Sequence, residues 1–189
     1  VKTPIVLASA SPRRRELLAS AGIACLVNPA HIPEVRQPGE APEAYGRRLA
    51  SEKAAAVAPR HPDHIVLAAD TLVVLNGEVL EKPADAADAV RMLSALSGRT
   101  HEVLTAVCLR LGAESRCFLC RTEVDFRVLD KAEILRYVAT GEPMDKAGGY
   151  GIQAGAAHMV RAIHGSYSNV VGLPMAEVIE ALRSFPFSD

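Results

Sequence analysis

The feature that most constrains this chain is one long stretch, Ile65-Val66-Leu67-Ala68-Ala69-Asp70-Thr71-Leu72-Val73-Val74-Leu75, apolar except for a carboxylate and a hydroxyl near its middle. Its length and its Val, Leu and Ile content predict a β-strand. Asn76-Gly77 follows directly, a strong type I′ hairpin signal that returns the chain through Glu78–Leu80. Asp70 is the anomaly. An ionised carboxylate inside an apolar strand is costly unless a cation or metal pairs with it. The bland alternative is a strand that leaves the core at Asp70, with the side chain in water. Apolar residues resume after Thr71 and argue against that, so Asp70 reads as a functional carboxylate.

The flanking segments alternate in type. Ile5–Ala8 reads as a short strand closed by Ser9-Ala10-Ser11-Pro12. Pro12 suits the first turn of a helix over Arg13–Ser20, with Gly22 as its terminator. Ala24–Asn28 is predicted as a strand and Pro29–Glu40 as a loop holding an isolated Glu34. Pro42–Ala58 reads as a helix with Tyr45 and Leu49 inward, and Asp85–Leu96 as an amphipathic helix with Val90, Leu93 and Leu96 inward. Thr100–Leu111 and Ser115–Val128 pair as strands about Gly112. A helix over Lys131–Ala139, a glycine-rich loop over Gly141–Gly155, a strand over Met159–Ile163 and a closing helix over Met175–Leu182 complete the chain. Early alternation followed by hairpins gives an α/β class, a mixed β-sheet flanked by helices. With 189 residues, 49% hydrophobic but only 4% aromatic and no Trp, the composition suits strands covered by Ala-rich helices in a single domain over 1–189.

The formal net charge of −1 leaves no global basic excess, so phosphate binding has to come from a local cluster. That counts against a stable nucleic-acid partner. There is no secretory segment and no apolar run long enough to span a bilayer, which points to the cytoplasm and away from a membrane partner. Cys117 and Cys120 form a C-x-x-C, but within a strand residues three apart face opposite ways and make a poor chelate. Cys25, Cys108, Cys117 and Cys120 are expected as buried or half-buried thiols in a reducing cytosol.

Four further places carry candidate chemistry. Ser9-Ala10-Ser11-Pro12-Arg13-Arg14 stands where a strand ends and a helix begins. Free N–H groups, two hydroxyls and two guanidinium groups there suit phosphate oxygens, against the plainer reading of a capped helix with solvated arginines. Lys53 falls four residues after Leu49, on the inward face of its helix, where a cation needs a partner or must snorkel out. Lys82 follows the hairpin that begins at Asn76-Gly77, which could return it to the Asp70 strand. Asp145-Lys146-Ala147-Gly148-Gly149-Tyr150-Gly151-Ile152-Gln153 combines charge with a backbone able to approach a ligand closely.

Together these segments resemble the Maf family of nucleoside triphosphate pyrophosphatases. The matching stretches are Leu7–Arg14, Ala69-Asp70-Thr71, Glu81-Lys82-Pro83, Asp145-Lys146-Ala147-Gly148 and Gly165–Pro174, in family order along nearly the whole chain. The resemblance implies a fold like that of the inosine triphosphate pyrophosphatases, with two lobes around a cleft. It also implies a divalent cation, Mg²⁺ or Mn²⁺, held by Glu34 and Asp70. The implied reaction converts a nucleoside triphosphate to monophosphate and pyrophosphate. Asp70 matches the family's catalytic acidic residue, as general base or as metal ligand. Ser9, Ser11, Arg14, Glu34, Lys53 and Lys82 fall on the implied substrate site. Arg13, Thr71 and Gln153 match positions tied to the dTTP/UTP branch, with canonical and modified pyrimidine nucleotides both open as the physiological substrate. The family also admits a homodimer and, as an alternative function, a nucleotide-binding regulator of cell division without essential turnover. In place of the family's run of glycines after Gln153, this chain has Ala154-Gly155-Ala156-Ala157-His158.

Overall fold

The computed structural model describes residues 5–185; residues 1–4 and 186–189 of the expected 1–189 domain lie outside the described residues. In chain order the elements are β1 (Ile5–Leu7), α1 (Pro12–Ser20), β2 (Cys25–Val27), α2 (Pro42–Val57), β3 (Ile65–Leu75), β4 (Glu78–Leu80) and α3 (Ala86–Leu96). They continue with β5 (Thr100–Leu111), β6 (Glu114–Phe126), α4 (Lys131–Ala139), β7 (Val160–His164), α5 (Tyr167–Val171) and α6 (Met175–Arg183). The strands form one seven-stranded sheet in the order β2-β1-β3-β5-β6-β7, with β4 paired to β3. β1 runs parallel to β2 and β3, whereas β4 and β7 are antiparallel to β3 and β6, so the expected mixed sheet is present. No described helix is long and apolar enough to cross a membrane.

Chain contacts divide the protein into two compact units. One comprises the chain up to Asp70, Thr105–Cys120 and the residues from Gly172 onward; the other comprises Thr71–Leu104 and Arg121–Val171. In the first unit, strand alternation builds two separate cores. Ile5, Leu7, Ile65, Leu67, Ala69, Val107 and Leu109 pack with Leu18 of α1 and with Val178, Ala181 and Leu182 of α6. Val6, Ala8, Val66, Ala68, Ala106 and Cys108 pack with Ala50, Ala54 and Val57 of α2. A strand covered on both sides has to be apolar at successive positions, which is why β3 shows no polar alternation.

In the second unit Val73 stands opposite Leu80, and Asn76 adopts φ 52°, as a type I′ turn requires. Helix α3 buries Ala89, Met92, Leu93 and Leu96. Val90 was expected to point inward and is only half-buried. The apolar stripe runs through positions 89, 92, 93 and 96, and Val90 lies about 100° around the helix from Ala89.

The glycine-rich loop is well packed. It forms short 3₁₀ turns at Glu142–Asp145 and Ala147–Gly149. Gly148 has φ +67°, and a Cβ there would stand 2.8 Å from Val73 Cγ1. Its N–H donates to Glu81 O at 3.1 Å. The short helix α5 escaped the sequence reading, being too brief to show periodicity. It is fixed by fully buried Asn169, whose Nδ2 donates to Val103 O at 3.1 Å and Thr122 Oγ1 at 3.0 Å.

The cysteine expectation needs correction. Cys108 and Cys117 are joined in a disulfide with Cα atoms 4.1 Å apart, and only Cys25 and Cys120 are thiols. β5 and β6 meet through a two-residue turn, so positions equidistant from it face each other, as 108 and 117 do. The C-x-x-C does split between faces, as strand geometry dictates. Cys117 joins Cys108 on the α2 side, while Cys120 Sγ lies 3.7 Å from Glu177 Oε1 of α6.

Candidate functional site

The alternation that builds the core also positions the carboxylate. Val66 and Ala68 face α2, so Asp70 continues the same face. On α2 the inward stripe runs through Leu49, Ala50, Lys53, Ala54 and Val57. The cation of one element therefore meets the carboxylate of the other. Lys53 Nζ lies 2.6 Å from Asp70 Oδ1, and the two residues are only 7% and 6% exposed. The expected anomaly at Asp70 is thus a buried ion pair, and Lys53 does not snorkel to the surface.

Glu34 reaches the same ammonium, its Oε1 2.8 Å from Lys53 Nζ, with nearly half of its side chain exposed. Side chains of α2 tie down the loop that carries it. Tyr45 Oη donates to Glu34 O at 3.2 Å and Arg48 Nη2 donates to Val35 O at 3.0 Å. Arg48 also binds Glu40 at 2.7 Å, and the hydrogen bond from Arg48 holds the Glu40 carboxyl at about 2. An isolated acid in a Pro-rich loop is thereby held at a defined point.

The strand–helix turn supplies the basic part. Ser11 occupies the N-cap position of α1 and Pro12 its first turn, and the Ser11 side chain makes no capping bond. Instead, Ser11 N donates to Ser9 Oγ at 3.2 Å. Arg14 Nη1 donates to the same hydroxyl at 3.1 Å, and Arg14 Nε donates to Gly172 O at 2.8 Å. Burial, joined by repulsion from Arg13, lowers the Arg14 pKa against the opposing pull of Asp70 and Glu34. Arg14 thus stands within electrostatic reach of both carboxylates while anchoring the turn. Arg13 is half-buried beside it.

Ser9, Arg14, Glu34, Lys53 and Asp70 are therefore gathered in the first unit, with Ser11 and Arg13 on the same turn. Thr71, Lys82 and Gln153 belong to the second unit. Thr71 is half-buried at its start, and Lys82 and Gln153 are exposed. β4 runs back along β3 from Leu75 to Val73 and delivers Lys82 just past its end. The backbone on either side of Lys82 is held by the glycine-rich loop. Glu81 O accepts from Gly148 N, and Pro83 sits where a Cβ on Gly149 would come within 3.3 Å.

No group of three or more His, Cys, Asp or Glu able to hold a metal occurs among the described residues. Two hard oxygen donors do converge on one cationic point, the Lys53 ammonium between Asp70 and Glu34. Two carboxylates fit a divalent cation whose remaining ligands are phosphate oxygens and water, the usual manner of binding Mg²⁺. The sequence reading missed the supporting groups Tyr45, Arg48 and Gly172. Tyr45 and Arg48 lie three residues apart on one helix, but nothing local signals which loop they hold.

A family model described as Maf-like protein matches residues 4–185. The dTTP/UTP pyrophosphatase of Geobacter metallireducens is 56% identical over 183 residues, covering 95% of each chain. That of Geobacter sulfurreducens is 55% identical over 96% of each, and that of Yersinia pestis 53% identical over 97% of this chain and 93% of its own. In backbone, the Staphylococcus aureus Ham1 protein gives a TM-score of 0.45 at 17% identity, over 66% of this chain and 72% of that one, a likeness too loose to carry weight.

Proposed function

The chain belongs to the Maf family, and from that premise we propose that it hydrolyses dTTP and UTP to the monophosphate and pyrophosphate. The relatives that share more than half of its residues bear the name dTTP/UTP pyrophosphatase, which supports both the substrate and the bond cut. The observation that carries the chemistry is the buried ammonium of Lys53 held between Asp70 and Glu34.

Asp70 is the group that handles the attacking water, as general base or through a cation it holds. Its burial against α2 keeps bulk water away and fixes its direction. Glu34 and Asp70 are the residues that would hold Mg²⁺ or Mn²⁺, and such a cation supplies charge neutralisation at the phosphates and an acidified water. Lys53 keeps the two carboxylates from repelling each other. With Arg13, Arg14 and Lys82 it offsets the charge that grows on leaving pyrophosphate. Ser11 stands at the N-cap of α1 and Ser9 two residues before it, beside N–H groups that favour phosphate oxygens. Thr71 and Gln153 serve the base, the Gln153 amide matching the paired acceptor and N–H edge of uracil or thymine. A cytoplasmic location belongs to this reading, because nucleoside triphosphates are held inside cells.

The test is a panel of nucleoside triphosphates with Mg²⁺ or Mn²⁺, scored for monophosphate and pyrophosphate. UTP and dTTP are expected to give both in equal amounts, with CTP slower. Release of orthophosphate, or no turnover of any pyrimidine nucleotide, would contradict the reading.

A further inference from the structure

Gln153 lies exposed on a turn whose two ends are both held by side chains. Gly151 N donates to Tyr137 Oη at 3.2 Å, and Gly155 N donates to Glu142 Oε2 at 3.1 Å. The two holders are themselves joined, Tyr137 Oη donating to Glu142 Oε1 at 2.9 Å. Ala154 N donates to Gly151 O at 3.3 Å and closes the turn from within. Buried Ile152 and Ala156 anchor the apolar side of the segment, which leaves Gln153 and Ala154 outward.

The holders rest on firm ground. Tyr137 is buried on α4, and Glu142 opens the 3₁₀ turn that follows it, its own N–H meeting Thr140 Oγ1 at 3.2 Å. The fit at the far end is close. A Cβ on Gly155 would fall 2.8 Å from Glu142 Oε2 and 3.0 Å from Tyr137 Cε2. Glycine at that end lets the backbone reach the carboxylate, and the carboxylate supplies the restraint that glycine lacks.

We propose that Tyr137 and Glu142 form a positioning clamp that sets base selectivity by fixing the Gln153 amide. The proposal rests on the reading of Gln153 as the group facing the pyrimidine. An amide distinguishes uracil from cytosine by placing one donor and one acceptor at set points, and a small displacement forfeits the distinction. Neither Tyr137 nor Glu142 touches the nucleotide in this scheme. Each acts through the backbone on one side of Gln153.

The test measures kcat/KM for UTP and CTP in wild type, Glu142→Ala, Tyr137→Phe, Gln153→Ala and the Glu142→Ala/Gln153→Ala double variant, with thermal unfolding alongside. Glu142→Ala is expected to lower the UTP-to-CTP ratio about tenfold, the scale of one recognition contact in a pocket. Tyr137→Phe should lower it less, in the same direction. In the Gln153→Ala background, Glu142→Ala should change the ratio no further, because both act on one amide. A Glu142→Ala protein that melts earlier with an unchanged ratio overturns the clamp. If Gln153→Ala lowers the ratio in that case, the reading of Gln153 survives alone. An unchanged ratio in Gln153→Ala overturns both. Glu142→Leu, close in volume but without an acceptor for the Gly155 N–H, carries the same test should the truncated variant fail to fold.

Discussion

At the residue scale, the molecule turns on one ammonium serving two carboxylates. Lys53 and Asp70 are both buried, so removing the cation leaves an uncompensated charge in the core. Lys53→Met is therefore expected to cost about 3–5 kcal/mol of stability, and Lys53→Met/Asp70→Asn to recover part of it. Urea unfolding of the two variants checks this; a Lys53→Met protein as stable as wild type would show the pair to be incidental. His101 behaves differently. It is buried against Phe126 and Tyr150, with its Nε2 2.7 Å from Tyr150 Oη. Burial lowers its pKa from 6.5 to about 4, against the opposing pull of Asp125. Below pH 6.5 the unfolded chain takes up a proton that the folded chain refuses. Stability should thus fall as pH drops from about 6.5 to about 4, by roughly 3 kcal/mol in all, and be unaffected above this window. Denaturant unfolding between pH 4 and 7 measures it, and a His101→Phe variant should show a shallower decline than wild type.

At the element scale, β3 explains most of what was legible and the β5–β6 hairpin most of what was not. The long apolar run of β3, broken only by Asp70 and Thr71, and the helical period of α2 are both written in local sequence. They put Asp70 and Lys53 on inward faces without revealing that those faces meet. The approach of Glu34 was beyond local reading, because it depends on Tyr45 and Arg48 gripping a loop without periodicity of its own. The family motifs pointed to Glu34 where physical reading of the loop did not. The Cys108–Cys117 disulfide was missed for a related reason. Its geometry follows from hairpin register, which the C-x-x-C spacing does not show. Closing so short a loop should contribute no more than about 3 kcal/mol, since strand pairing already holds the ends together. Cys117→Ser should accordingly fold and melt only modestly earlier, with a mass shift on alkylation confirming a freed Cys108 after unfolding. Complete loss of folding would contradict that estimate.

At the scale of the whole molecule, a net charge of −1 coexists with a site meant for a polyanion. The resolution is local. In the proposed reading, basic side chains at 13, 14, 53 and 82 meet the phosphates, while acids elsewhere in the sequence balance the total. Family membership rests on a match over residues 4–185 and on relatives sharing more than half of this sequence, so the proposed activity belongs to the chain as a whole. In the proposed reading, hydrolysis depends on the buried carboxylate of Asp70. The most direct measurement compares wild type with Asp70→Asn, following UTP binding by calorimetry and pyrophosphate release with Mg²⁺ or Mn²⁺ present. The variant is expected to bind UTP and to release pyrophosphate at least about a hundredfold more slowly than wild type. Undiminished pyrophosphate release from Asp70→Asn would contradict that reading.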